Sequence, residues 1–117
     1  MYIDLEPTVV DEIRIGKYKD LYDRDQLISG KEDAADLYAR GYYTVGRQLA
    51  DPCMERLRKE VEKCDGLQGF MMFNSIGGGT GSGFGSLMLK KMSVEYAKKT
   101  KMGFTIFPSP MLSTSCV

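Results

Sequence analysis

The sequence, 117 residues long, predicts an α/β fold with parallel strands. The apolar residues 67–76 form a short run bounded by glycine, which is typical of a buried strand. A glycine-rich loop follows, and residues 82–99 then have the apolar spacing of an amphipathic helix. Residues 103–108 form a second apolar run that favours a strand. Because a helix between two strands of one sheet makes a parallel crossover, this order indicates a βαβ unit.

The elements before that unit are less regular. Residues 2–5 favour a short strand, which Pro7 ends. Residues 11–27 are polar and contain turn-like segments, so we interpret them as a loop with at most one helical turn. A turn over residues 30–33 follows, and its final residue, an aspartate, is suited to cap a short helix over residues 34–40.

A clearer helix precedes the βαβ unit, because apolar side chains recur there at spacings of three and four residues. Pro52 allows two interpretations, since a proline in a helix interior costs about 3 kcal/mol. Either the helix begins at Asp51, with Pro52 in its first turn, or a helix that begins near residue 45 is kinked at Pro52. The apolar stripe predicts four core residues, namely Met54, Leu57, Val61 and Cys64.

The composition excludes several functional classes. Sixteen basic residues balance sixteen acidic ones, so no excess of positive charge indicates a nucleic-acid or membrane-surface partner. The sequence has no histidine, which excludes a histidine-based catalytic triad. Its three cysteines form no close-spaced pair, so we expect neither a zinc site nor a disulfide framework, and a reducing, cytosolic setting. We expect no signal peptide and no transmembrane span, because the longest uncharged run, residues 66–89, is rich in glycine.

The stretch NSIGGGTGSGFGS, residues 74–86, carries the strongest functional signal. It leaves the carboxyl end of a predicted strand and opens a helix, which is where parallel α/β sheets bind ligands. The first N–H groups of a helix lack intrahelical partners, and the helix dipole is positive at that end. Glycines leave room for an anion and permit unusual backbone angles, while Thr80 and Ser82 add hydroxyl donors. We therefore predict phosphate or nucleotide binding.

Two common phosphate-binding patterns do not fit this loop. The P-loop requires a lysine after its last glycine, and no lysine occurs between Gly66 and Leu89. The dinucleotide fingerprint requires a final glycine at a spacing that this loop does not provide. A flexible glycine-rich linker is the alternative, and the position between a strand and an amphipathic helix argues against it.

The segment GGGTGSG is the signature of the tubulin family, and the chain resembles the α-subunits of that family over essentially its whole length. The GKEDAA segment resembles the α rather than the β subunit. Other similar segments, in the same order and spacing, are DLEPT at 4–8, ISGKEDAA at 28–35, YARGYYTVG at 38–46, CDGLQGF at 64–70 and FPSPMLST at 107–114.

This resemblance implies a structural constituent of the cytoskeleton that binds GTP and Mg²⁺. It implies that the partner is β-tubulin, in a heterodimer that builds cytoplasmic microtubules. The implied fold is an incomplete Rossmann-like parallel sheet with flanking helices, and residues 1–117 are expected to be a fragment of the GTPase domain, from its middle, with no second domain. The catalytic glutamate of the α-subunits is not in this chain, so no catalytic residue is expected here.

The resemblance also implies which residues hold the nucleotide. Glu6 is expected to be the carboxylate linked to Mg²⁺, with Asp4 and Asp33 as further candidates. The GTP-binding residues implied by the family are Glu6, Asp33, Ala34, Ala35, Ser75, Gly78, Gly79, Thr80, Gly81, Ser82, Ser113 and Thr114.

Three residues depart from the family's pattern. Asp36 stands where the family has an asparagine that helps to bind phosphate, and a carboxylate repels phosphate unless Mg²⁺ or a proton intervenes. Asn74 replaces a histidine beside the glycine loop, and Pro52 falls in a stretch that is continuous helix in the family. The tyrosines within residues 38–43 either pack in the core, which we favour, or belong to a contact between subunits.

Two other functions remain open at this point. A truncated, non-assembling gene product without stable GTP binding is one, because missing sheet neighbours would expose strand edges and apolar faces. An independent nucleotide-dependent enzyme is the other, although no nucleophile–base pair is identifiable in the sequence.

Overall fold

A computed structural model describes residues 1–111 as two parallel pairs of strands with helices packed on them. Strand β1 (Tyr2–Asp4) pairs with β2 (Leu27–Ser29), and strand β3 (Gly69–Ser75) pairs with β4 (Thr100–Ile106). Both pairs are parallel, so the α/β class with parallel strands is confirmed. Within the described residues, the two pairs are separate two-stranded sheets.

Among residues 1–111, three α-helices accompany these strands: α1 (Pro7–Ile15), α2 (Val45–Glu62) and α3 (Gly85–Glu95). Two short 3₁₀ turns, Lys19–Leu21 and Arg24–Gln26, connect α1 to β2. In the part of the chain that is described, no helix is both long enough and apolar enough to cross a membrane.

The predicted βαβ unit is confirmed as β3, α3 and β4. The register runs from Gly69 opposite Thr100 to Ser75 opposite Ile106. The helix ends at Glu95, which is earlier than the sequence pattern predicts. The ammonium group of Lys101 donates to the carbonyl oxygen of Tyr96 at 2.6 Å, so it neutralises the negative end of the helix.

The one helical turn allowed within residues 11–27 is the end of a longer helix, because α1 runs from Pro7 to Ile15. Pro7 begins this helix instead of only ending a strand, and Glu6 caps it by accepting the N–H of Thr8 at 3.2 Å. A tertiary contact also holds it, since Arg14 donates to the carbonyl oxygen of Leu27 at 2.8 Å. The apolar pattern does not predict α1, because Val10 is the only buried residue of this helix.

The predicted helix over residues 34–40 is also wrong. Ala35 and Asp36 have positive φ angles of 48° and 56°, which break a right-handed helix. The Asp33 carboxylate does cap this segment, but it accepts the N–H of Ala35 at 3.1 Å and so closes a turn. The chain becomes helical only at Tyr38 and continues through the π-helical turn Arg40–Thr44 into α2.

Of the two interpretations of Pro52, the one with a helix that begins near residue 45 is confirmed. Helix α2 begins at Val45 and continues through Pro52. The expectation that Cys64 is a core residue is wrong, since α2 ends at Glu62 and Cys64 is exposed. Cys53 lies on the buried face instead and is 0% exposed.

The core lies between α2, α3 and the segments that lead into them. Its buried residues are Leu5, Ala34, Ala50, Cys53, Met54, Phe84, Leu87, Met88 and Met92. Among the tyrosines, Tyr42 packs against this core while Tyr43 is 61% exposed, and a contact between subunits stays a prediction.

Strand β3 was expected to be buried, but only one of its faces is. Phe70 and Met72 pack against the core, whereas Met71 and Phe73 are exposed. Successive side chains of a strand point to opposite faces, so the sheet formed by β3 and β4 has one covered face and one open face.

Candidate nucleotide-binding site

A cavity of about 570 Å³ lies at the carboxyl ends of β3 and β4. Three segments form its walls: the turn after β2, the glycine loop after β3, and the residues after β4. The lining residues are Asp33, Ala34, Ala35, Asp36, Ser75, Gly77, Gly78, Gly79, Thr80, Gly81, Ile106, Phe107, Pro108 and Ser109. Most of the residues that the family resemblance implied therefore lie around one space, at the edge where parallel sheets bind ligands.

The glycine loop enters its helix with backbone N–H groups that have no hydrogen-bond acceptor among residues 1–111. The first hydrogen bond of this helical segment joins the N–H of Ser82 to the carbonyl oxygen of Gly78, at 3.1 Å. The N–H groups of Gly79, Thr80 and Gly81 precede that bond and line the cavity. Such N–H groups, together with the positive end of a helix dipole, attract an anion.

The glycines of the loop have two distinct roles. A Cβ atom at Gly81 would lie 1.8 Å from the carbonyl oxygen of Ser75, and one at Gly79 would lie 2.6 Å from the Cβ of Ala34. At Gly77 and Gly78, by contrast, the nearest atoms would be 3.5 and 3.8 Å away. Close packing therefore requires glycine at positions 79 and 81. Gly77 and Gly78 instead leave space in the cavity that a side chain would fill.

The glycines do not use the unusual backbone angles that they permit. Within the described residues, no glycine has a positive φ. The loop depends on the absence of a side chain, and not on the conformational freedom of glycine.

Two π-helical turns, Arg40–Thr44 and Thr80–Phe84, pack against each other and position the loop. A Cβ at Gly41 would lie 2.3 Å from the carbonyl oxygen of Gly79, and a Cβ at Gly83 would lie 2.2 Å from that of Tyr38. This contact could not be predicted from apolar patterning, and its only signal in the sequence is the pair of glycines Gly41 and Gly46 around the start of α2. Single π-helical turns within helices are often found at functional sites.

Asn74 also positions the glycine loop, which its place in the sequence did not indicate. Its side-chain amide donates to the carbonyl oxygen of Gly81 at 2.9 Å. This bond ties the end of β3 to the first turn of the helix, so Asn74 holds the glycine loop at a fixed distance from the strand.

Two carboxylates, Asp33 and Asp36, belong to the cavity wall, which has no lysine or arginine among its described lining residues. The Asp33 carboxylate accepts the N–H of Ala35, as the turn requires. The Asp36 carboxylate faces the loop, because its Oδ1 lies 3.8 Å from the position of a Cβ at Gly78. The cavity thus presents backbone donors on one side and negative charge on another.

Three implied residues lie elsewhere or serve other contacts. Glu6 does not line the cavity, and its carboxylate accepts the N–H and the hydroxyl of Thr8 at the start of α1. Asp4 accepts the N–H of Glu6 at 3.3 Å. Ser82 also does not line the cavity, since its hydroxyl donates to the carbonyl oxygen of Gly78 at 2.6 Å.

Ser113 and Thr114 lie outside the described residues. Within residues 1–111, no three acidic or sulfur-containing side chains converge as a protein-only metal site. Mg²⁺ rarely needs such a cage, because it usually takes one or two carboxylates together with phosphate oxygens and water. Asp33 and Asp36, on the wall of a cavity with anion-binding amides, fit that requirement.

The comparison with protein families decides what kind of domain this is. The family model of the Tubulin/FtsZ family, GTPase domain, matches residues 1–117. The chain belongs to the Tubulin/FtsZ family. The Rossmann-like class expected from the resemblance is therefore confirmed, and the cavity lies in a Tubulin/FtsZ GTPase domain.

The resemblance of this Tubulin/FtsZ family chain to α-subunits is also confirmed. It is 61% identical over 117 residues to the tubulin alpha-1 chain of Arabidopsis thaliana, and 59% identical over the same length to the tubulin alpha-3 chain of Zea mays. Each match covers all of this chain and 26% of the relative. The chain thus spans about a quarter of the length of the curated relatives it matches.

Proposed function

We propose that this chain is the GTP-binding part of an α-tubulin subunit, which serves as a structural constituent of the cytoskeleton. The cavity beside the glycine loop is the observation that carries the proposal. It combines free helix N-terminal amides with a size that suits a nucleotide, and pockets for small ligands typically measure roughly 300–1,000 Å³. The family match and the high identity to tubulin alpha chains supply the choice of GTP.

The glycine loop is proposed to hold the phosphates of GTP. The N–H groups of Gly79, Thr80 and Gly81 donate to phosphate oxygens, and the hydroxyls of Thr80 and Ser75 add two donors. Gly78 keeps the approach open, because a side chain there would project toward the carboxylate of Asp36. Further members of the proposed site are Glu6, Asp33, Ala34, Ala35, Ser82, Ser113 and Thr114.

Mg²⁺ is proposed to accompany the nucleotide, where it would neutralise phosphate charge. Asp33 is the candidate ligand on the cavity wall, and Glu6 and Asp4 are proposed at the neighbouring strand end. Glu6 would have to leave its capping contact with Thr8 in order to reach the ion.

The proposed partner is β-tubulin, in a heterodimer of the microtubule lattice in the cytoplasm. This part of the proposal rests on the identity to tubulin alpha chains. The chain is proposed to contribute nucleotide binding and assembly, with no catalytic residue of its own.

Thermal unfolding with and without GTP tests the nucleotide site. We expect GTP at about 100 times its dissociation constant to raise the free energy of unfolding by about 2.7 kcal/mol. Gly78→Val should abolish the increase, because the added side chain narrows the phosphate approach while its Cβ meets only ordinary contacts. Gly66→Ala is the matched control, since a Cβ there meets nothing within 4 Å. Absence of any GTP effect on the unmodified chain would contradict the proposal.

A truncated, non-assembling product without stable GTP binding is the second candidate. The open face of the sheet favours it, because Phe73 and Ile106 are 72% and 66% exposed. Aggregation of the purified chain, together with no effect of GTP on unfolding, would support this candidate over the first.

A further inference from the structure

Asp36 is the residue of the cavity whose position is hardest to reconcile with a bare phosphate. Its backbone is left-handed, with φ at 56°, so the turn fixes the direction of its Cα–Cβ bond. The carboxylate then lies close to Gly78, where the glycine loop begins to present its amides. Arg40, the arginine nearest to it along the chain, is paired with Glu32 at 3.4 Å.

The negative charge of Asp33, unlike that of Asp36, is partly compensated within the turn. Its Oδ1 already accepts the N–H of Ala35, which stabilises the negative charge within the turn. The charge of Asp36 therefore acts on whatever enters the cavity between the turn and the glycine loop.

A carboxylate and a phosphate about 4 Å apart repel each other, and the repulsion weakens binding by about fivefold even when solvent screens it well. A divalent cation between the two groups reverses the sign of this effect, since each group then contacts a positive charge. The effect of Asp36 on a ligand thus depends on whether the phosphate arrives with a cation.

We infer that Asp36 makes this cavity select the cation complex of a nucleoside triphosphate over the free triphosphate. Asp36 is a specificity-determining residue in this role, and it contributes no chemistry of its own. The inference rests on the proposed function, because it assumes that the cavity holds the phosphates of a nucleotide.

Isothermal titration calorimetry with GTP tests the inference. The titration uses the whole protein as it occurs in the cell and is run once in Mg²⁺ and once in EDTA. Asp36→Asn is the informative variant, since asparagine has nearly the same shape and tolerates the same left-handed backbone. Asp65→Asn is the matched control, because it removes one exposed carboxylate away from the cavity and changes the net charge equally.

In EDTA, Asp36→Asn should bind GTP about fivefold more tightly than the unmodified chain, because a screened charge repulsion has been removed. In Mg²⁺, the same variant should bind with equal or lower affinity than the unmodified chain. Asp65→Asn should match the unmodified chain in both conditions.

Two results would overturn the inference, and they are distinguishable. If GTP binds but Asp36→Asn has the same ratio of affinities in Mg²⁺ and EDTA as the unmodified chain, only the inference is wrong. If GTP binds to neither protein in either condition, the proposed nucleotide site itself is wrong, and the inference fails with it.

Discussion

Single glycines determine how closely the segments around the cavity approach each other. Gly79, Gly81 and Gly83 each lie against the backbone or Cβ of another segment, whereas Gly77 and Gly78 face the open cavity. Identical residues in one short motif therefore carry different physical constraints, and substitution should separate them.

Gly81→Ala should destabilise the fold strongly. Alanine gains about 1 kcal/mol in helix propensity, but its Cβ would overlap the carbonyl oxygen of Ser75 at 1.8 Å, and neither backbone can shift cheaply. We expect a net loss of about 3 kcal/mol or more in the free energy of unfolding, measured with urea. A loss below about 1 kcal/mol, equal to that of the Gly66→Ala control, would contradict the packing role.

The two described cysteines should react differently with thiol reagents. Burial raises the pKa of the Cys53 thiol from 9.0 to about 12, so the native protein holds almost no thiolate there at pH 8. Cys64 is exposed. Iodoacetamide at pH 8, followed by peptide mass spectrometry, should label Cys64 first and Cys53 only after unfolding. Equal labelling of both in the native protein would show that the Cys53 site opens readily.

The same pKa shift gives a pH dependence with a definite sign. Because the native state holds the Cys53 proton more tightly than the unfolded state, this thiol stabilises the fold fully below pH 9. The contribution is lost as the pH rises from 9 toward 12.

At the level of elements, helix α2 shows that tertiary packing can outweigh a local penalty. Its interior contains Pro52, yet the helix continues because Ala50, Cys53 and Met54 are buried against the core on both sides of the proline. Pro52 itself is exposed, so its ring adds little to that packing.

Pro52→Ala should therefore stabilise the chain. The substitution restores an N–H donor that can reach the carbonyl oxygen of Gln48, and it removes a helix-interior proline whose cost is about 3 kcal/mol. Greater freedom of the unfolded chain offsets part of this gain, so we expect about 1–2 kcal/mol by urea unfolding. Lys59→Ala, at another exposed position of α2, is the control and should stay within about 0.5 kcal/mol. A loss of stability in Pro52→Ala would show that the helix is adapted to the proline.

Secondary structure could be predicted where the apolar pattern is strong and not where a few polar contacts decide it. The strands β3 and β4 and their crossover helix follow from apolar runs and glycine boundaries. Helix α1 does not, because one capping carboxylate and the bond from Arg14 to Leu27 hold it. The role of the glycine loop in phosphate binding could be predicted from its motif. The contact between the two π-helical turns could not, because the two turns are distant in sequence.

At the scale of the whole molecule, one face of the β3–β4 sheet is covered by no other element among the described residues and exposes apolar side chains. Met71, Phe73, Met102, Phe104 and Ile106 are all exposed. The rings of Phe73 and Phe104 stack with centroids 4.6 Å apart, so they form a flat apolar surface. Contiguous exposed apolar surface favours association.

The purified chain should therefore self-associate, and Phe73→Ser with Phe104→Ser should weaken the association. Each buried aromatic ring contributes about 1.5–3 kcal/mol, so the double variant should raise the dissociation constant by roughly a hundredfold or more. Sedimentation equilibrium measures this change. Leu21→Ser is the control, because it removes an apolar side chain that is equally exposed on another surface. A monomeric chain, or an equal effect of Leu21→Ser, would exclude association through this face.

The class of fold, the order strand–glycine loop–helix–strand, and the family follow from the amino-acid sequence, because they depend on apolar periodicity and on short motifs. The starts of α1 and α2, the burial of Cys53 instead of Cys64, and the division of the glycines between packing and cavity lining follow from the three-dimensional fold. The physical reason is that these features depend on atoms distant in sequence. A pattern of local residues cannot report the 1.8 Å between a Cβ at Gly81 and Ser75, or the approach of Asp36 to Gly78.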